Sequence, residues 1–96
     1  SAAAIEQPGV ADRTVIQTQL PYAATIRVED RLAVLELQLY IKEKNKDGTY
    51  LCEFHSIEKF MSAILAIDAD ITIIKPDWLR CRLVLAAERI IRNNKE

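Results

Sequence analysis

The sequence predicts one α+β domain in which an antiparallel sheet carries helices on one of its faces. Three observations support this prediction: apolar and polar residues alternate in several runs, an Asp47-Gly48 pair lies between two such runs, and two later segments carry apolar residues at helical spacing. A chain of 96 residues is long enough for one domain with one hydrophobic core.

The first part of the chain has the weakest pattern. Residues 1–13 show little periodicity, which indicates a linker or a cloning remnant, so we expect the domain to span residues 14–96. Alternation over residues 14–20 predicts a half-buried first strand, which Pro21 ends. Residues 23–33 are predicted to form a weakly amphipathic helix.

The middle of the chain predicts a hairpin. Apolar and polar residues alternate cleanly over residues 35–42, which predicts the second strand. The Asp47-Gly48 pair then favours a tight turn into a third strand over residues 49–54. The alternation assigns seven residues of the sheet to the helix-covered side: Leu37, Leu39, Tyr50, Cys52, Phe54, Ile71 and Ile73.

The last part of the chain predicts two helices with a strand between them. Ser56 is a good N-cap for a helix whose apolar stripe consists of Ile57, Phe60, Met61, Ile64 and Leu65. The β-branched run over residues 71–75 predicts a strand, which Pro76 ends, and Asp77 is expected to cap the final helix over residues 78–92. The inward residues of this final helix are expected to be Leu79, Leu83, Ala86, Ala87, Ile90 and Ile91.

The order of these elements is βαββαβ with an additional C-terminal helix, which is the order of the ferredoxin-like fold. Such a sheet has helices on one face and leaves the other face open. Alternation places Tyr40, Leu51 and Ile74 on the open face among polar neighbours. Apolar patches with polar rims commonly mark protein–protein contacts, so these three residues are the candidate interface.

Composition argues against nucleic-acid and membrane partners. Thirteen basic and fourteen acidic side chains give a formal net charge of −1, whereas a nucleic-acid binder usually has a basic surplus. No apolar run approaches the roughly 20 residues of a membrane span, and no signal-peptide pattern is present. We therefore expect a cytoplasmic protein.

Catalytic and metal sites are not expected. His55 is the only histidine, and no nucleophile with an orienting group lies beside it in the sequence. Structural zinc needs four soft ligands, whereas the chain has only Cys52 and Cys81, which we expect to be buried, reduced thiols. Asp68 and Asp70 are interpreted as turn residues. The prediction is a protein that is not an enzyme and holds no cofactor or metal.

The predicted element order also occurs in the RNA-recognition motif. The third strand of that motif carries exposed aromatic residues that stack on bases, preceded by a basic residue. Here Thr49 and Leu51 stand at the stacking positions, and Asp47 stands at the basic position. RNA binding by this chain is therefore not expected.

Two segments carry short motifs that resemble a known family. The first is the hairpin strand over residues 47–54, which is followed by Ser56 and its apolar helix; the second is residues 71–80, where Pro76-Asp77-Trp78-Leu79-Arg80 opens the final helix. Together they resemble the C-terminal extension (WCX) domain of bacterial WYL-domain transcription regulators, which typically has a Pro-x-x-Leu-Arg element. The chain departs from the family at Ile67-Asp68, where a glycine is usual.

This resemblance implies a regulatory and dimerisation module that couples effector sensing to DNA binding. In the family, a DNA-binding domain and a WYL domain precede the extension, so DNA would be bound only through an N-terminal domain that is absent here. The implied partners are a second copy of the chain or its own WYL domain, and an anionic effector is a candidate ligand. The alternative is a stand-alone ferredoxin-like domain that senses a small ligand.

The final helix carries four arginines, Arg80, Arg82, Arg89 and Arg92. Cations are favoured near the C-terminal end of a helix, so a solvated basic flank is the ordinary interpretation. Arg80 lies one turn into the helix, where the helix dipole does not stabilise a cation. Arg80 and Arg82 are therefore the candidates for effector coupling, with a plain surface ion pair as the alternative for Arg80.

Overall fold

The computed structural model describes residues 20–95. Its elements are β1 (Tyr22–Val28), α1 (Arg31–Glu36), β2 (Ile41–Lys44), β3 (Tyr50–Phe54), α2 (Ile57–Ala66), β4 (Ile71–Lys75) and α3 (Asp77–Asn94). The strands form one sheet in the order β2-β3-β1-β4, and all neighbouring strands are antiparallel. This topology confirms the predicted α+β fold, with the ferredoxin-like order and an additional C-terminal helix.

β1 lies in a segment that the sequence assigned mostly to a helix. The predicted strand over residues 14–20 falls outside the described residues except for Leu20, which is exposed and belongs to no strand. Residues 22–28, most of them assigned to a helix, instead form β1 at the centre of the sheet. Hydrogen bonding to β3 on one side and β4 on the other outweighs the weak helical pattern.

The second strand was also predicted too early. Residues 31–36 form α1, which begins where the Asp30 side chain accepts a hydrogen bond from the Ala33 amide at 2.9 Å. β2 therefore starts only at Ile41. In the intervening turn Leu37 is buried as predicted, but Leu39 is 83% exposed and does not reach the core.

The hairpin between β2 and β3 is confirmed. The loop is closed by hydrogen bonds from the Asn45 amide to the Thr49 carbonyl at 2.7 Å and from the Gly48 amide to the Asn45 carbonyl at 3.0 Å. Gly48 has a φ of +91°, which favours glycine. The Asp47 carboxylate accepts from the Thr49 amide at 3.0 Å and from its hydroxyl at 2.6 Å. These hydrogen bonds, that of the Thr49 side chain first, lower the pKa of Asp47.

The second half of the fold follows the prediction closely. The Ser56 hydroxyl caps α2 by accepting from the Lys59 amide at 3.1 Å. α2 buries Phe60, Met61 and Ile64, whereas Leu65 of the predicted stripe is exposed. The predicted cap at Asp77 is wrong because Pro76 occupies the N-cap position and no side chain caps the helix.

The core lies between one face of the sheet and the helices. Its centre is an aromatic stack in which the rings of Phe54 and Phe60 are parallel and 4.1 Å apart. The Tyr22 ring stacks on Phe54 at 5.8 Å, and the Trp78 ring meets Tyr22 edge-on at 5.8 Å. Phe54 and Phe60 are buried, whereas Tyr22 and Trp78 are 41% and 45% exposed, so burial of the two phenylalanine rings holds β3 and α2 together and the outer rings extend this contact to β1 and the start of α3.

Candidate functional site

The face of the sheet opposite the helices is the first candidate surface. On the central strand β1, Ala24 and Ile26 are buried in the core, so Thr25 between them points to the open face. Thr25 pairs with Leu51 on β3 and with Lys75 on β4. The open face at this point is therefore formed by β3, β1 and β4, which are neighbours in the sheet.

One predicted interface residue lies beside Thr25 on this face. Leu51 lies opposite Thr25 on β3 and is half-buried, and on β4 Lys75 lies opposite Thr25. Ile74 is the extra residue where the register between β1 and β4 shifts, so alternation does not assign its side chain to a face, and it is 36% exposed. We call Thr25, Leu51 and Lys75 the open-face patch. A shallow hollow beside Thr25 and Leu51 is rimmed by Lys75. Thr25 itself is only 8% exposed, so Leu51 and the charged rim at Lys75 are the parts of the patch that can contact another protein surface.

The third predicted interface residue, Tyr40, does not belong to the open-face patch. Its ring meets Phe60 of α2 edge-on at 5.2 Å, which places Tyr40 on the helix side. The prediction was wrong because residues 37–40 form the turn that follows α1, so the alternation of a strand does not apply to them. The partly buried ring extends the aromatic core instead.

Arg80 connects the start of α3 to the end of β4. Its guanidinium lies 2.9 Å from the Asp77 carboxylate and donates to the Ile74 carbonyl at 3.4 Å. The Arg80 side chain remains 48% exposed, so this ion pair is expected to contribute less than about 1 kcal/mol. Arg80 is thus placed across the turn at Pro76, and it retains guanidinium donors for a further acceptor.

The structure does not bring the two effector-coupling candidates together. Arg82 lies two residues after Arg80, which turns its side chain to a different side of α3. Its guanidinium lies 3.5 Å from the Glu58 carboxylate of α2. Both arginines therefore have acidic partners within the domain, and they do not converge on one anion site.

A large groove among the described residues has the wrong charge for an anionic effector. This open groove of about 850 Å³ is lined by Arg27 and by four carboxylates: Glu29, Asp30, Asp68 and Asp70. The excess of negative charge disfavours an anion. Within residues 20–95, no group of three or more histidine, cysteine or acidic side chains is placed to hold a metal ion.

No catalytic arrangement is found among the described residues. His55 is exposed at the end of β3, and none of the side-chain hydrogen bonds found between residues 20 and 95 joins it or a cysteine to a polar side chain. Cys52 is buried, and burial raises the pKa of its thiol to about 11. Cys81 is exposed, so the prediction that both thiols are buried is wrong for Cys81.

A second surface, on α3, was missed by the sequence prediction. Ile90 and Ile91 were expected to face the core but are 47% and 57% exposed, and Val84 and Leu85 are also exposed. An 18-residue helix is about 27 Å long, whereas the five residues of β4 span about 17 Å. The last turns of α3 therefore extend past the strand, and Leu85 and Ile90 line an open hollow shared with Met61 and Leu65 of α2.

Comparisons with known proteins were made for the whole chain. No protein-family model, no curated protein and no solved structure matches it. The open-face patch and the surface of α3 are therefore interpreted from their own geometry. None of the helices within residues 20–95 is long and apolar enough to cross a membrane.

Proposed function

We propose that this chain is a non-catalytic regulatory module from the C-terminus of a WYL-type bacterial transcription regulator. In this proposal it couples effector sensing to DNA binding, and the DNA is bound by a separate N-terminal domain. The observation that supports the proposal most directly is the open-face patch, because Leu51 and Lys75 lie on either side of Thr25 on a sheet face that no described helix covers. A face of this kind is suited to docking against a neighbouring domain.

The residues that carry the family resemblance have defined structural tasks, which supports the proposal. Gly48 adopts the positive φ of the hairpin, Ser56 caps α2, and Arg80 crosses the turn at Pro76. These motifs therefore shape the hairpin, the helix start and the final turn together. A domain that kept the same motifs would have the same open face.

The charge and the exposed groups of the domain favour a protein partner over nucleic acid. Thr49, at one of the two positions where an RNA-recognition motif exposes an aromatic ring, is 2% exposed, and Leu51 offers no ring for stacking. The net charge of −1 gives no electrostatic attraction to phosphate. We propose that the module acts in the cytoplasm, where its partners are its own WYL domain and a second copy of the chain.

The test has two steps. The gene upstream of the codon for Ser1 is expected to encode a WYL domain, and its absence there would contradict the family assignment. In the intact regulator, Leu51→Glu is then expected to abolish the effector response of DNA binding, because the new charge disrupts docking of the open face. Thr72→Glu is the matched control, since Thr72 lies on the same face opposite Arg27 and outside the patch.

A further inference from the structure

We propose that the hollow between α2 and α3 binds an acidic amphipathic helix of another protein. This hollow lies between residues 58–65 of α2 and residues 82–90 of α3, and we call it the α2–α3 groove. The bound helix presents apolar residues at positions i, i+4 and i+7 and acidic residues in its first turn. The inference does not depend on the proposed function, and it leaves the open-face patch free.

The α2–α3 groove is concave and mainly apolar. It has a volume of about 410 Å³. Met61 and Ala86 are buried and form its floor, whereas its walls are the exposed side chains of Leu65, Leu85 and Ile90. Leu85 is 65% exposed although it borders this apolar floor. A concave surface with these features is the type of receptor into which an amphipathic helix lays its apolar side.

The direction and the length of the α2–α3 groove suit a helix. β3 and β4 are both antiparallel to β1, so they are parallel to each other, and α2 and α3 each follow one of them. The ion pair between Glu58 and Arg82 lies at the start of the groove. From there the walls continue for about 10–12 Å to Leu65 and Ile90. Apolar residues at positions i, i+4 and i+7 of a bound helix span about the same length.

The charges at the two ends of the α2–α3 groove determine the orientation of the bound helix. At its start Arg82 is paired with Glu58. At its far end Arg89 lines the groove and Arg92 follows one turn later, and neither forms an ion pair with another residue of the described part of the chain. Acidic residues are favoured in the first turn of a helix. A helix that runs antiparallel to α2 and α3 therefore places its acidic first turn beside these two arginines.

The shape of the α2–α3 groove favours a helix over a membrane surface. A helix that lies on a membrane inserts a continuous apolar face into the lipid. Here the apolar side chains line a hollow instead, and the exposed carboxylate of Glu58 lies at its edge. This carboxylate repels anionic lipid, whereas a bound helix can place a basic residue of its last turn beside it.

The first test compares two synthetic peptides. Each has about 16 residues, because shorter isolated helices are marginal in water. The glutamate peptide has glutamates in its first turn, leucines along one side and lysines in its last turn, and the lysine peptide has lysines in place of the glutamates. Fluorescence anisotropy of the labelled peptides with the whole chain measures both dissociation constants. The glutamate peptide is expected to bind at least about tenfold more tightly.

The second test changes the walls and the charges of the α2–α3 groove. Leu85→Glu places a charge in an apolar wall and is expected to weaken binding of the glutamate peptide at least about tenfold. Val84→Glu is the matched control and should leave binding unchanged, because Val84 is also exposed but is turned about 100° away from Leu85. The double variant Arg89→Glu/Arg92→Glu is expected to reverse the preference, so that the lysine peptide binds more tightly.

The outcomes distinguish a helix from other occupants of the α2–α3 groove. Equal binding of the two peptides, or binding that Leu85→Glu does not weaken, overturns the proposal. A dimer of the chain that dissociates with Leu85→Glu in sedimentation velocity also overturns it, because a second copy then occupies the groove. Binding to phosphatidylserine vesicles that is lost with Leu85→Glu overturns it in favour of a membrane surface. Leu51→Glu is expected to leave peptide binding unchanged, so a failure of docking at the open face is measured separately.

Discussion

The two faces of the sheet are made by the same strands and differ in what covers them. On the face covered by helices, Ile26 and Cys52 are completely buried against Phe60 and its neighbours. On the open face, Thr25 is also only 8% exposed, but Leu51 beside it is half-buried and Lys75 is exposed, and no described helix covers them. The covered face therefore accounts for the stability of the domain, and the open face is available for a partner. Substitutions on the two faces should consequently have different effects.

The largest expected effect is on the covered face. Phe60→Ala removes the ring that stacks on Phe54 and meets Tyr40, and it is expected to lower the free energy of unfolding by about 3–5 kcal/mol. Urea denaturation followed by circular dichroism measures this loss. A loss below about 1 kcal/mol would mean that the aromatic stack does not hold the two layers together.

Cys52 and Cys81 differ in burial, so their thiols are expected to react at different rates. Cys81 is expected to react rapidly with maleimide, whereas Cys52 is buried and its thiol pKa is raised to about 11. We expect Cys52 to react at least about 100-fold more slowly, because it must wait for the domain to open. Mass spectrometry of the time course, with a urea-unfolded sample as control, distinguishes the sites. Equal rates would contradict the burial of Cys52.

The hairpin between β2 and β3 depends on the backbone conformation of Gly48. A Cβ at Gly48 meets no atom within 4 Å, so the cost of Gly48→Ala comes from the φ of +91° alone. We expect a loss of about 1 kcal/mol in thermal or urea unfolding. Gly48→Asn should cost less, because asparagine tolerates this conformation better. A larger loss with asparagine than with alanine would contradict this explanation.

Acid should weaken the same hairpin through Asp47. Because hydrogen bonds from Thr49 hold the folded-state pKa of Asp47 below its usual value of 3.8, the ionised carboxylate stabilises the folded state above that pH. This contribution is lost as the pH falls from about 3.8 through the folded-state pKa. Asp47→Asn should therefore show a smaller loss of stability than the parent over this interval. Parallel pH profiles of the two proteins would contradict the assignment.

The smallest expected effect is on the open face. Leu51→Glu places a charge on a half-buried position that no described helix covers, opposite Glu43 on β2, so we expect it to lower the free energy of unfolding by about 0.5–1 kcal/mol. Urea denaturation of the isolated chain measures this change. A loss comparable to that of Phe60→Ala would mean that Leu51 belongs to the core, and the distinction between the faces would fail.

Prediction from the sequence succeeded where local signals and tertiary pairing agree. The Asp47-Gly48 turn, the Ser56 cap and the β-branched strand before Pro76 each specify one conformation within a few residues. It failed before residue 41, where β1 has two alanines and flanking charges that also fit a helix. There, pairing with β3 and β4 decides the structure, and these pairings join distant parts of the chain.

Whether the residues of the candidate surfaces were placed correctly also depended on whether the strands that carry them were predicted correctly. Leu51 lies on the predicted side of the sheet because β3 starts within one residue of its predicted position. The register shift at Ile74 in β4 was not predictable from alternation. Tyr40 was misplaced because the strand that was expected to carry it begins later. The exposure of Ile90 and Ile91 was not predictable from their spacing, since it depends on where the sheet beneath α3 ends.

The most direct test of the proposed docking role measures whether the open face is covered in the intact regulator. Lys75→Cys, opposite Thr25 on the open face, in a Cys81→Ser background is expected to react freely with maleimide in the isolated chain. In the intact regulator the docked domain should slow this reaction at least about tenfold. Gln38→Cys, at an exposed turn position away from the patch, should react at the same rate in both proteins. Equal reaction rates of Lys75→Cys in the chain and in the intact regulator would contradict a docking role for this face.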